Sequence, residues 1–286
     1  MIKISSQIKQ KLRSYFYGML AVFILISCDK DDDHIAVNTI PAESEIAMEM
    51  AFDDVDYITF EGMELSNNIY EARIAHDEGP LGEFCVSTSF SLQNNNTTID
   101  FGDGCEGPEG KIRRGRIIIS HTGRYFAPGS VITTVLDNYS VNGIKVEGTR
   151  IATNTSTQRT LSPVFNVRIE DGKITWPDGT TATREINQTR TWKLSLDPHE
   201  IEYYIEGTAS GINRDGIAYT TNIDSKLVYT ANCIESHAYL PSSGKQSIIL
   251  HNPDQLYEID YGNGNCDNII KVSTEGNSRE IVVKYK

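Results

Sequence analysis

The chain holds 39 carboxylates and six histidines, at 34, 76, 121, 199, 237 and 251, and the histidines are scattered singly. No HExxH pair is present for a zinc hydrolase, no GxSxG elbow for a serine nucleophile, and no glycine-rich loop opening a helix for phosphate. A glycosidase needs only two carboxylates brought together in space, so sequence spacing cannot test that chemistry. Hard oxygen ligands gather at two loops: Asp100 and Asp103 in one, and Asp260, Asn263 and Asp267 in the other. Flexible glycines beside them would suit calcium, but the same residues equally cap a tight turn. The turn reading is preferred, so we expect no metal, no cofactor and no enzyme.

Cysteine offers the more specific chemistry. Cys28 ends the run Leu25-Ile26-Ser27-Cys28 behind a basic start (Lys3, Lys9, Lys11, Arg13) and an apolar stretch from Tyr15 to Ile26. That pattern predicts a lipoprotein signal over 1–27, cleaved before Cys28, whose thiol is then acylated. Several acyl chains at about 0.8 kcal/mol per buried methylene make a stable anchor. The acidic run Asp29 to Asp33, interrupted only by Lys30, begins a tether over 28–41.

Cys85, Cys105, Cys233 and Cys266 remain, an even number in an oxidising compartment, and four cysteines allow three pairings. An internal repeat favours one of them. Thr98-Ile99-Asp100-Phe101-Gly102-Asp103-Gly104-Cys105 echoes Glu258-Ile259-Asp260-Tyr261-Gly262-Asn263-Gly264-Asn265-Cys266, and each copy has another cysteine upstream. The expected bridges are therefore Cys85–Cys105 and Cys233–Cys266.

Removing the four cationic residues of 1–27 takes the formal charge from −13 to −17. Such an acidic surface lacks the Lys/Arg stripe that nucleic acid requires, and signals solubility instead.

Two regions must position these groups. In 42–80 a helical prelude is expected, with Ala47, Met50, Ala51, Val55, Ile58, Gly62 and Leu65 recurring at steps of three or four between Ala42 and about Met63. Its apolar face is expected to pack on its own domain, with Asp53, Asp54 and Asp56 solvated. Over 81–286 the period becomes two: Phe165, Val167 and Ile169 alternate with Asn166, Arg168 and Glu170, as do Tyr257, Ile259 and Tyr261 with Glu258 and Asp260. Asn142-Gly143, Asp171-Gly172, Asp178-Gly179 and Asp215-Gly216 read as hairpin turns. The expected class is mainly β, an antiparallel meander forming a sandwich, barrel or large curled sheet, with one N-terminal amphipathic helix.

Two features resemble known proteins. The acidic run after Cys28 is similar to the surface-export signal of Bacteroidetes lipoproteins. The stretch from Gly172 to Thr181 (GKITWPDGTT), Arg190-Thr191-Trp192, the segment Glu206 to Asn213, and Ile259 to Asn268 resemble uncharacterised surface lipoproteins of that phylum. The resemblance implies a lipid anchor in the outer membrane, an outward-facing location and a β architecture, and it implies no activity.

Aromatic residues supply the remaining binding candidates. Trp176 and Trp192 flank a hairpin, and an exposed coplanar pair could stack on a sugar ring, whereas a core role buries both indoles. The expected function is a noncatalytic binding or structural component of the cell envelope, partnered by the membrane and by a glycan or an envelope protein. A glycan-capture module beside an outer-membrane transporter is the alternative, and a carboxylate-dependent glycoside hydrolase a more distant one.

Overall fold

The computed structural model describes residues 37–72, 85–91, 95–107, 110–236 and 238–283. Cys28, the tether before residue 37, His34, His76 and His237 lie outside the described residues. From Val37 onward the chain is one compact unit, so the helical region and the β region, expected in succession, share a single core.

That core is built around one helix, α1 (Ile40–Ala72), longer at both ends than its apolar pattern predicts. Pro41 sits in its first turn, where its missing N–H costs nothing, and Glu43 lies near the positive end of the helix dipole. Around α1 runs an antiparallel sheet of fourteen strands: β1 (Ser87–Ser91), β2 (Asn96–Asp100), β3 (Cys105–Glu106), β4 (Ile112–His121), β5 (Val131–Val141), β6 (Ile144–Asn154), β7 (Val164–Thr175), β8 (Thr181–Lys193), β9 (Glu202–Ile212), β10 (Ala218–Thr230), β11 (Ser243–His251), β12 (Asp254–Asn263), β13 (Ile269–Thr274) and β14 (Asn277–Val282). Each strand pairs with its sequence neighbours, except that β2 pairs with β4 and not with β3, and the short β3 pairs with β4 alone. Among the described residues β1 and β14 remain as edges, so the sheet is curled and not closed. A short helix α2 (Ala231–Glu235) joins β10 to β11.

The expected alternation holds where it was clearest. Phe165, Val167 and Ile169 are buried on β7, and Tyr257, Ile259 and Tyr261 on β12. Three of the four expected turns are hairpin connections. Asn142 and Gly143, with φ of 49° and 80°, form the β5–β6 turn that mirrors a type I turn. Asp171-Gly172 is a correction, because it lies inside β7, where the pairing with β8 slips between Ile169 and Gly172. Asp171 adopts φ of 55°, so the local chemistry that suits a turn here inserts an extra residue into a continuing strand.

Such bulges curl the sheet. Register also shifts beside Gly115 in β4, Gly148 in β6 and Gly244 in β11. At Gly115, with φ of 74°, an added Cβ would lie 2.2 Å from the Asn138 carbonyl oxygen, so only glycine fits. Each bulge bends its strand and increases the local twist, and repetition across the sheet wraps it about the helix.

Both bridges are formed as expected, Cys85–Cys105 and Cys233–Cys266. The repeated loops stand towards opposite ends of the strand order, one after β2 and the other after β12. Asp100 accepts a hydrogen bond from Gly102 N at 2.8 Å, and Asp260 from Gly262 N at 2.9 Å. Asp267 likewise accepts from Ile269 N at 3.1 Å. These carboxylates cap backbone, the chemistry of an Asx turn.

Candidate functional site

Helix α1 is covered on most of its sides. From Ala42 to Met63 only Glu43 and Tyr57 are exposed, and Ala42, Ile46, Met48, Phe52, Val55, Ile58 and Met63 are buried among side chains of the sheet. Gly62 permits the closest approach: a Cβ there would meet the Cδ1 atoms of Ile99 and Ile119 at 2.7 and 2.8 Å. A helix enclosed this way must neutralise its own polar residues, and the sheet supplies the partners.

Asp53, Asp54 and Asp56, expected to be solvated, are paired with cations inside the body, which corrects that reading. Asp54, 2% exposed, accepts from Arg113 Nε at 2.9 Å and Nη2 at 2.6 Å, from Lys111 Nζ at 2.9 Å and from the Tyr139 hydroxyl. Asp56 pairs with Arg150 and Arg190, and Asp53 with Arg190 at 3.5 Å and the Tyr229 hydroxyl at 3.3 Å. One turn earlier Arg184 bonds Glu45, and its Nη2 lies 3.2 Å from Glu49, which also accepts from the Tyr261 hydroxyl at 3.1 Å. Glu45, Glu49, Asp53, Asp54 and Asp56 on the helix are thus balanced by Lys111, Arg113, Arg150, Arg184 and Arg190 from the sheet. Desolvating a charge costs several kcal/mol unless it is paired, so this matching fixes the helix's depth and rotation.

The pairing does not leave all carboxylates alike. Burial pushes Asp54 up, but Lys111 beside it and the bonds from Arg113 and Tyr139 outweigh that, holding its carboxyl below the usual range. Burial and the neighbouring Glu45 charge push Glu49 up to about 7, the single Arg184 offsetting them only partly. Glu61 is raised to about 7 by burial and by Glu64.

Nothing about Glu45 and Glu49 resembles a glycosidase cleft. The space beside Glu49 measures about 10 Å³, room for about one water molecule and far below a sugar ring. Trp176 is 8% exposed, with the Arg214 guanidinium 4.3 Å above its ring, and that arginine is held by Asp178 and Thr180. Trp192 packs into a cluster with Phe60, Tyr125, Phe126 and Tyr203, at ring separations of 5.1 to 6.5 Å. The two indoles therefore do not form the exposed coplanar pair that glycan stacking requires. Among the described residues no group of three or more His, Cys, Asp or Glu is arranged to hold a metal ion.

A larger recess lies elsewhere and had no signal in sequence spacing. A cavity of about 430 Å³ runs along the N-terminal half of α1. The helix contributes Ile46, Ala47, Met50 and Ala51; the β5–β6 hairpin contributes Val141 and Ile144; and the edge strand β14 with its extension contributes Ile281, Val282 and Val283. Strands distant in sheet order meet here only because the sheet curls. Polar groups stand at the margins: Glu43, Asn142, Lys111 and the saturated Asp54. Asn142 locks this corner, since its side-chain oxygen accepts from Ile112 N at 2.9 Å while its backbone N donates to Ile112 O at 2.8 Å, placing Lys111 beside the turn.

A cavity of this volume, apolar with a few convergent polar groups, has the character of a small-molecule site. It is about three times the roughly 150 Å³ cavity that admits benzene. Comparison of the chain with models of known families, with curated proteins and with solved structures finds no match.

Proposed function

We propose that this protein is a noncatalytic binding component of the cell envelope, anchored in the outer membrane through acylated Cys28 and facing outward, which holds a small, mainly apolar ligand. The observation that carries the binding half of this reading is the cavity of about 430 Å³ between α1, the β5–β6 hairpin and β14. Apolar walls release water when an apolar ligand enters, at about 25 cal/mol per Å² removed from solvent, and three separate elements hold the walls in place. The lipobox before Cys28 and the acidic run after it carry the location.

Isolated membranes bearing the full-length protein, treated with an uncharged photoreactive hydrocarbon and irradiated, should yield label on the α1 and β14 segments that face the cavity. Ala47→Trp fills that space from the helix side. Overpacking of about 1–3 kcal/mol should reduce the label by about fivefold or more. Label spread over the outer sheet face, or indifferent to Ala47→Trp, would remove the cavity from consideration. For the location, protease added to intact cells should cleave this protein while a periplasmic control survives; survival of both would place it on the inner side.

A further inference from the structure

The sheet ends at β14 on an open edge. Val283 N donates to Asn268 O at 2.8 Å, so in the alternating pattern of an antiparallel ladder Ile281 and Arg279 also turn their backbone groups to β13, whereas Ser278, Glu280 and Val282 turn theirs away from it. Among the described residues no strand pairs with that side. A row of unpaired N–H and C=O groups is a template for another strand. The outer face beside this edge is apolar as well: Val282, 64% exposed, stands directly across from Ile269, 43% exposed. On the inner face Ile281 is across from the buried Ile270, and Ile281 and Val283 line the recess.

Two identical antiparallel strands meet about a two-fold axis normal to the sheet, and residues directly opposite must point to the same face, so the axis passes through a residue. Centred on Arg279 or on Glu280, it sets like charges directly opposite each other, which is unfavourable. Centred on Ile281, it leaves Glu280 against Val282. Centred on Val282, it sets Glu280 opposite Lys284 of the second copy on both sides of the axis, and Ile281 opposite Val283; Lys284 follows in the sequence, just outside the described residues. This register also joins Ile269 and Val282 to their counterparts in a row of four apolar residues across four strands. We propose that the protein pairs with a second copy of itself through β14, antiparallel and centred on Val282, joining the two curled sheets edge to edge and bringing the second copy's Val283 beside Ile281 at the wall of the recess. The pairing goes beyond the ligand reading above and does not depend on it. Both copies are acidic overall, but repulsion between exposed charges farther apart than about 8 Å is largely screened at physiological salt, while the Glu280–Lys284 pairs are direct neighbours.

The test uses full-length protein in isolated membranes, with Val282→Cys on the axis and Asn187→Cys, exposed on the outer face of β8, as its control. Opposite residues that exchange both backbone bonds have Cα atoms about 5.5 Å apart, within the span of a disulfide. Mild oxidation with copper phenanthroline should therefore link Val282→Cys into a covalent dimer and leave Asn187→Cys and the wild type as monomers on a nonreducing gel. Adding Glu280→Lys to Val282→Cys turns two attractive cross-strand pairs into two repulsive ones and should lower the dimer yield about tenfold. Lys284→Glu should do the same, and the two exchanges together should restore the yield. That restoration separates charge pairing from damage to the fold, which a second substitution at the same edge would only deepen. A Val282→Cys yield no higher than that of Asn187→Cys, a cross-link to a different protein in place of the dimer, or a double exchange no better than either single one would overturn the pairing.

Discussion

Arg184→Met is expected to lower the free energy of unfolding by about 3–5 kcal/mol, the cost of leaving a buried charge without its partner. Arg184 is 1% exposed and serves two carboxylates of α1, Glu45 and Glu49, inside the curl of the sheet. Methionine would restore much of the side-chain volume, so loss of packing contributes little and the stranded carboxylates dominate. A second substitution discriminates between these terms. Glu45→Gln combined with Arg184→Met should recover a large part of the loss, since replacing both members of a buried ion pair is often near neutral. Denaturant or thermal unfolding of the wild type, the single variants and the double variant measures the coupling directly. A double variant as unstable as Arg184→Met alone would assign the cost to packing and not to charge.

Stability should fall as pH rises from about 4.5 to about 7. Glu49 has a native pKa of about 7 against 4.5 for a free carboxyl, so across that window the folded protein binds more protons than the unfolded chain. The stabilisation from this group is complete below pH 4.5, fades towards pH 7 and is absent above. At about 1.36 kcal/mol per pKa unit, it amounts to about 3 kcal/mol. Glu61 titrates in the same direction. Asp54 acts oppositely: its carboxyl is held below 3.8, so its contribution is present at higher pH and disappears as pH falls through its native value. Melting temperature followed from pH 3 to 8 should therefore pass through a maximum on the acid side of neutrality. Glu49→Gln, neutral throughout, should flatten the descent between about pH 5 and 7. A wild-type melting temperature that climbs across that interval would mean that Glu49 is ionised in the native state and that Arg184 satisfies both its acids.

Much of the architecture was legible in the residues. The two Asp-Gly-rich repeats with their upstream cysteines led to Cys85–Cys105 and Cys233–Cys266, because a shared local motif repeats its local pairing. Alternation on β7 and β12 identified their buried faces, and Asn142-Gly143, Asp178-Gly179 and Asp215-Gly216 marked hairpins. Strand β8 shows why the same approach missed the interior charges. Its inward face reads Ala182, Arg184, Ile186, Gln188 and Arg190, and its outward face Thr181, Thr183, Glu185, Asn187 and Thr189. Neither face is apolar, so a period of two gives no hint of which one is inside. One signal did exist: Glu45, Glu49, Asp53 and Asp56 recur at steps of four, four and three, an acidic stripe on the same helix as the apolar one. An enclosed helix carries such a stripe only when cations surround it.

The sequence alone determined what depends on neighbours along the chain: helix and strand periods, turn chemistry and the paired cysteines. Tertiary structure decided the curl produced by bulges in successive strands, the enclosure of α1, the partnering of its acids and the cavity that β14 lines together with the β5–β6 hairpin. Those features join residues up to more than two hundred positions apart, as in the contact of Glu49 with Tyr261, separated by 212. Local periodicity reports which face of an element differs from the other. Only the curled path of the sheet sets what that face meets, and desolvation then makes an acidic helix and four inward arginines the frame of the core.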